Sequence, residues 1–206
     1  EAIGNSCDVY FYQLGLRVGL DALLRRSTDI GFSRKCGIDL PQESQGIFPA
    51  EREFWERQFG YAPREGEVLP LSIGQGPNSQ TPLKIAQFYL ALARDGSAPS
   101  PFLARDLELE DAWALDLAPE HIMSLHEGLR NVTSPGGTAH FGTSLEYWEV
   151  RGKSGTAEHG LSQAGLAEPH AWFAGMAGPF GGAPGIVVVV IVEYGESGSG
   201  TAAPIM

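Results

Sequence analysis

The stretch Gly152-Lys153-Ser154-Gly155-Thr156 sets one amine beside two hydroxyls and two glycines. Two chemistries use such a grouping. A phosphate cradle of the form GxxxxGK[ST] wraps a nucleotide in backbone N–H groups. An acyl-transfer site of the penicillin type lays a Lys-Thr-Gly triplet beside a serine nucleophile. The cradle needs glycine five positions before Gly152, where Tyr147 stands. It also needs a helix to open after the lysine, with its N-terminal amides facing the phosphates. Here Thr156-Ala157-Glu158-His159-Gly160 leads toward another strand instead.

Acyl transfer accounts for each residue of the stretch. Along a period-two backbone Lys153 and Gly155 point one way and Ser154 and Thr156 the other, unless the strand bends. The amine offers a fixed positive charge to a substrate carboxylate, and the hydroxyls offer neutral donors to the same group. Gly155 leaves space for substrate to lie alongside as an added strand. The Thr156 N–H is then a candidate oxyanion donor, an effect worth about 3 kcal/mol. Taken alone the triplet is a weak signal, and a solvated lysine on an edge strand explains it better.

The elements that must position these groups change character along the chain. Ser6 and Asp8 are both good N-cap types for a helix carrying Phe11, Leu14 and Val18. A second helix is expected from Asp21 to a stop at Gly31, and a short one around residues 50–60. The strongest helix signal is residues 81–96: Thr81 caps, Pro82 occupies the first turn and Gly96 ends it. Its apolar residues surround the axis, so it should be buried on most sides. A further helix after Pro119 places Ile122, Leu125, Leu129 and Val132 on one stripe, with His121 and His126 beside it as structural or solvated groups. Beyond residue 144 the period becomes two. Three strand-like runs follow, around 145–158, 170–178 and 185–195, joined by glycine-rich links too short for a crossover helix. Neighbouring strands must therefore be antiparallel, and helices followed by such a sheet make an α+β domain.

Bulk properties exclude other classes. The 206 residues suffice for a core, with 43% apolar and 19% charged residues. A net charge of −11 argues against a nucleic-acid partner. No run reaches the ~18 apolar residues needed to cross a bilayer. Cys7 and Cys36 form no CxxC and read as two packed thiols, and the five histidines show no ligand spacing, so neither a metal nor a cofactor is expected. Trp172 and Phe173 read as core. Residues 97–118 look like a surface excursion with no assigned work.

Ser6-Cys7-Asp8, the run 72–96, Gly152–Glu158 and His170–Met176 occur in that order, with "CGIDLPQESQGIFP" between them and "GTAAPI" at the close. Together they resemble the transpeptidase domain of class B penicillin-binding proteins, the cell-elongation type more than the division type, which usually carries asparagine where Asp8 stands. The resemblance runs the whole length of the chain. It implies the penicillin-binding protein and serine β-lactamase-like fold, an antiparallel sheet flanked by helices. It also implies a D,D-transpeptidase that cross-links peptidoglycan stem peptides through a serine acyl-enzyme and is acylated by β-lactams. Such a domain faces the extracytoplasmic side of the membrane and partners a membrane-embedded glycosyltransferase.

Residue by residue, the resemblance makes Ser6 a proton relay between the catalytic lysine and the leaving nitrogen. It makes Asp8 an acceptor that orients the lysine ammonium, and Lys153 a catalytic cation. Ser154, Gly155 and Thr156 become the substrate-binding edge, with serine replacing the usual threonine. One part of the pattern is missing: no serine in the chain is followed three residues later by lysine. The expectation is a partial domain, 1–206, that lacks the upstream Ser-x-x-Lys segment and the closing C-terminal helix and is inactive by itself. A β-lactamase, a β-lactam sensor and a non-catalytic binding domain stay open as alternatives.

Overall fold

A computed structural model describes residues 1–104, 108, 110–160 and 164–206. The chain divides into two compact units. One comprises Cys7–Gln87 and Ala98–Ala114; the other comprises Glu1–Ser6, Phe88–Ser97 and Leu115–Met206.

The first of these is mainly helical. Helices α1 (Asp8–Val18) and α2 (Leu20–Asp29) are separated by Gly19 at φ 81, a conformation that costs a glycine little. α3 (Glu53–Phe59) and α4 (Val68–Ser72) follow. Leu20 and Leu24 of α2 meet Phe48, Trp55, Val68 and Leu71 in one buried cluster. Each such side chain contributes roughly 1.5–3 kcal/mol by leaving water, and the Trp55 indole N–H is satisfied by Glu67 at 3.2 Å. α5 (Pro82–Ala93), whose residues from Phe88 onward belong to the other unit, begins as its sequence dictates: the Thr81 hydroxyl accepts the Lys84 N–H at 3.1 Å. Two short strands, β1 (Ser97–Pro99) and β2 (Asp111–Ala114), pair with each other within the stretch read from sequence as an excursion without work. That stretch also supplies the Trp113 indole, which donates to Gln87 at 3.2 Å. Its residues 105–107 and 109 lie outside the described ones.

The other unit is built on a sheet. α6 (Pro119–Thr133) and the one-turn α7 (His140–Thr143) precede β3 (Trp148–Ala157), β4 (His170–Pro179) and β5 (Ile186–Val192). The strands run in the order β3-β4-β5 and are antiparallel throughout, which bears out the expected α+β class. Register places Gly152 opposite Gly175, Ser154 opposite Phe173 and Thr156 opposite Ala171. Phe173 is wholly buried among Val132, Val150, Ala202 and Ala203. Trp172, one position earlier and on the other face, is only half-buried, so only one of the two aromatics is core in the full sense.

Two expectations about the thiols and the first helix need correction. Cys7 is exposed, and only Cys36 is packed. Cys7, not Ser6 or Asp8, stands at the N-cap of α1, and no side chain caps that helix. The physical reason is that the Ser6 hydroxyl is engaged elsewhere.

Candidate active site

Residues 1–6 form a single helical turn, with Asn5 N–H donating to Glu1 O at 3.0 Å and Ser6 N–H to Ile3 O at 3.2 Å. Ser6 ends it at φ 49, in the left-handed region. For a residue with a Cβ this conformation costs about 1–2 kcal/mol, and such strain persists only where surrounding contacts hold it. The holding contacts come from α6. A Cβ at Gly128 would lie 2.7 Å from Ile3 Cδ1, so glycine there lets Ile3 seat against the helix.

α6 also grips β3. The Thr133 hydroxyl donates to Val150 O at 2.5 Å. Glu149, only 8% exposed, accepts Arg130 Nε at 2.8 Å on one oxygen and Arg151 Nη2 at 2.6 Å on the other. Arg151 Nη1 donates to His126 Nδ1 at 3.0 Å, while His126 Nε2 faces Leu92 O at 2.6 Å. A carbonyl only accepts and a guanidinium only donates, so the geometry assigns the proton to His126 Nε2. One helix thus fixes both the turn bearing Ser6 and the strand bearing the lysine.

Lys153 Nζ donates to Ser6 Oγ at 2.6 Å and to Ser154 O at 2.8 Å. The ammonium has no acceptor capacity, so the Ser6 hydroxyl proton points away from it and is available to another acceptor. Charge-assisted bonds of this kind contribute about 1.5–3 kcal/mol each. β3 is an edge strand of its sheet, Thr156 is exposed, and Ser154 and Gly155 are half-buried. A Cβ at Gly155 would meet only Trp172 Cβ at 3.4 Å, so packing hardly forbids a side chain there. At Gly152 the same Cβ would lie 2.6 Å from the Phe173 ring and 2.8 Å from Ala174 O. The two glycines serve different ends: Gly152 admits the core aromatic, and Gly155 keeps the strand's edge bare.

The arrangement can hold an anion at the amine and polarise a hydroxyl for proton transfer. Of the residues singled out from sequence, it brings together Ser6 and Lys153, with Ser154, Gly155 and Thr156 continuing along the edge. Asp8 is the first residue of α1, exposed and in the helical unit. Sequence reasoning missed Glu149 and Arg151, whose only signal was two opposite charges at alternate positions of an otherwise apolar strand. His170 stacks on His159 with ring centroids 4.5 Å apart and accepts the Tyr194 N–H at 3.2 Å.

In the helical unit, a cleft of about 550 Å³ is lined by Ser33, Gln45, Phe48, Phe54, Gln58 and Asn78 among others. It has no titratable side chain and so no means for acid–base chemistry. Among the described residues no group of three or more His, Cys, Asp or Glu could hold a metal ion. No helix among them is long and apolar enough to cross a membrane.

Comparison with known proteins follows the same lines. All 206 residues match the model of the penicillin-binding protein transpeptidase domain. The peptidoglycan D,D-transpeptidase MrdA of Haemophilus influenzae is 30% identical over 226 residues, covering 100% of this chain and 34% of that protein. Peptidoglycan D,D-transpeptidase PbpA of Mycobacterium tuberculosis is 30% identical over 223 residues, covering 100% of this chain and 41% of its own. Among solved structures, penicillin-binding protein 2 of Pseudomonas aeruginosa superposes with a TM-score of 0.85 at 32% identity, over 99% of this chain and 46% of that one. The chain spans about a third to two fifths of the length of these curated relatives. It belongs to the penicillin-binding protein transpeptidase family.

Proposed function

We propose that residues 1–206 form the substrate-gripping portion of an elongation-type peptidoglycan D,D-transpeptidase. The single observation that carries this reading is the Lys153–Ser6 hydrogen bond beside a bare β3 edge. In the proposed reaction a serine attacks the carbonyl of a terminal D-Ala-D-Ala, D-alanine leaves, and the acyl group passes to an amine on a neighbouring stem peptide. Splitting one amide exchange into two acyl transfers lowers each barrier. Lys153 anchors the substrate carboxylate and keeps the Ser6 proton outward, and Ser6 passes a proton to the leaving nitrogen. Ser154 and Thr156 add neutral donors, and Gly155 lets the stem peptide lie against β3. Asp8 is assigned by its place in the Ser-x-Asp motif, as an acceptor-only group suited to holding an ammonium.

The attacking serine belongs to a Ser-x-x-Lys segment that the 206 residues do not contain, so the activity is that of a longer protein. β-Lactams would acylate the same serine; the relative penicillin-binding protein A of M. tuberculosis is known as an imipenem acyl-enzyme. For partners and placement the support is by relatives. Helicobacter pylori penicillin-binding protein 2 forms a complex with MreC, and a further relative belongs to a peptidoglycan synthase complex coordinating polymerization and crosslinking. On that support we infer a membrane glycosyltransferase partner and an extracytoplasmic location for the longer protein.

The test is labelling of the full-length protein by a fluorescent penicillin. The parent should label, a Lys153→Ala variant should label poorly, and residues 1–206 alone should not label. Equal labelling of parent and variant would remove the role given to Lys153.

A further inference from the structure

After β5 the chain turns through Tyr194 at φ 57 and Glu196 at φ 63, two non-glycine residues in the left-handed region. Each costs about 1–2 kcal/mol, so the path is one the rest of the unit imposes. Ser197 then accepts the Gly200 N–H on its hydroxyl at 3.0 Å, closing a wide turn over Gly198–Ala202. Ala202 and Ala203 anchor this turn in the core with Phe173. Phe173 pairs with Ser154, so the turn packs on the sheet face opposite to the one Lys153 occupies.

Gly198 is the point of closest approach. It is buried, and a Cβ there would stand 2.7 Å from Gly155 N and inside van der Waals contact of the Gly155 and Trp172 carbonyl oxygens. All three are backbone atoms, of one β3–β4 pair, so no side chain can rotate to make room. Gly155 lies opposite Trp172 of β4, and the next residue, Thr156, carries the N–H that the proposed substrate would meet at the β3 edge.

We propose that Gly198 is a positioning residue for acyl transfer: its bare α-carbon sets, from behind, the height of the β3 backbone at Gly155 and hence the reach of the adjoining Thr156 N–H toward substrate. This rests on the function proposed above. A displacement of about 1 Å at a reacting geometry can cost on the order of 10²-fold in rate, whereas the fold has other contacts to spare.

Two variants separate positioning from folding. Gly198→Ala crowds the sheet backbone at Gly155. Gly195→Ala crowds the same turn against the Ala171 and Val192 side chains, each 3.0 Å from the added Cβ, and leaves Gly155 alone. In the full-length protein, at a temperature where both variants are folded, Gly198→Ala should lower the limiting acylation rate by penicillin about tenfold or more with little change in half-saturating concentration. Gly195→Ala should acylate like the parent. Amide resonances give a second readout that needs no acylation: Gly198→Ala should shift Gly155, Thr156 and Trp172 strongly and Gly195→Ala should not. Parent-like acylation and resonances in Gly198→Ala overturn the proposal, as does an equal loss in both variants. If the parent itself is not acylated, the proposed function fails, and the resonances alone decide whether Gly198 holds the β3 edge.

Discussion

Lys153 Nζ lies 2.6 Å from Ser6 Oγ, although 147 positions separate the two residues in the chain. The bond is made by a serine in the left-handed region, so the turn carrying it is strained in its backbone at Ser6. Ser6→Ala and Ser6→Gly both remove the hydroxyl, but only glycine relieves the backbone. We expect Ser6→Gly to be more stable than Ser6→Ala by about 1 kcal/mol in urea unfolding, while both lower penicillin acylation of the full-length protein by about 10²-fold or more. Equal stability of the two variants would show that the turn carries no strain.

Much of this site was legible in the sequence because its local rules agree. Lys153, Ser154, Gly155 and Thr156 sit on a strand whose period-two pattern is plain, and Thr81 caps α5 as its residue type dictates. What escaped was set by tertiary contacts. Ser6 reads as an N-cap, yet Lys153 takes its hydroxyl and leaves Cys7 exposed at the helix start. Glu149 carries no signal of burial in the sequence, yet α6 supplies Arg130 as its partner. No periodicity reports a cross-element ion pair, because pairing depends on which helix covers the strand. Residues 97–118 hide β2 for a related reason: four residues of mixed polarity give no period to detect.

Glu149 predicts an asymmetry in stability. Its carboxylate is buried between Arg130, whose side chain is 58% exposed, and Arg151, which is 18% exposed. Removing one partner of a buried pair leaves a charge without compensation and costs about 3–5 kcal/mol, whereas an exposed partner contributes about 1 kcal/mol or less. Glu149→Ala should therefore destabilise severely and Arg130→Ala mildly, by denaturant midpoints measured at one ionic strength. Comparable losses from the two variants would mean that Arg130 is as essential as the buried partner.

The two thiols differ in exposure, and burial links Cys36 to pH. Burial pushes the Cys36 thiol up to about 11, the nearby Lys84 ammonium opposing and the Glu43 carboxylate adding to the rise. A free thiol ionises at about 8.5, so the unfolded chain releases this proton first. Stability from the neutral thiol is present in full below that value and is lost as pH climbs toward 11. Below neutrality the opposite group acts. Burial raises the Glu43 carboxyl, but the Cys36 and Gly37 amides, donating at 2.5 and 3.0 Å, bring it below its ordinary value overall. Its contribution is present above the ordinary carboxylate range and disappears as pH falls through the folded-state value. Native protein at pH 8 should react with a thiol reagent at Cys7 only, and Cys36→Ser should flatten the alkaline limb of the stability profile. Modification of both thiols at equal rates in native protein would contradict the burial of Cys36.

Gly152 and Gly155 make the sharpest contrast, since they lie three residues apart on one strand. Alanine at 152 meets the Phe173 ring and the Ala174 carbonyl at under 3 Å, on the buried face of the sheet. Overpacking of that kind costs about 1–3 kcal/mol. Alanine at 155 meets one Cβ at ordinary contact distance, and its added methyl projects on the Lys153 side of β3. Gly152→Ala should lower the unfolding midpoint clearly, with acylation of the surviving folded protein close to normal. Gly155→Ala should leave the midpoint within about 0.5 kcal/mol of the parent, as for a surface substitution, and yet cut acylation, because the methyl occupies the space a docking strand requires. A Gly155→Ala protein that is stable and acylates normally would show that substrate does not approach β3 from this side, and the bare edge would then need another explanation.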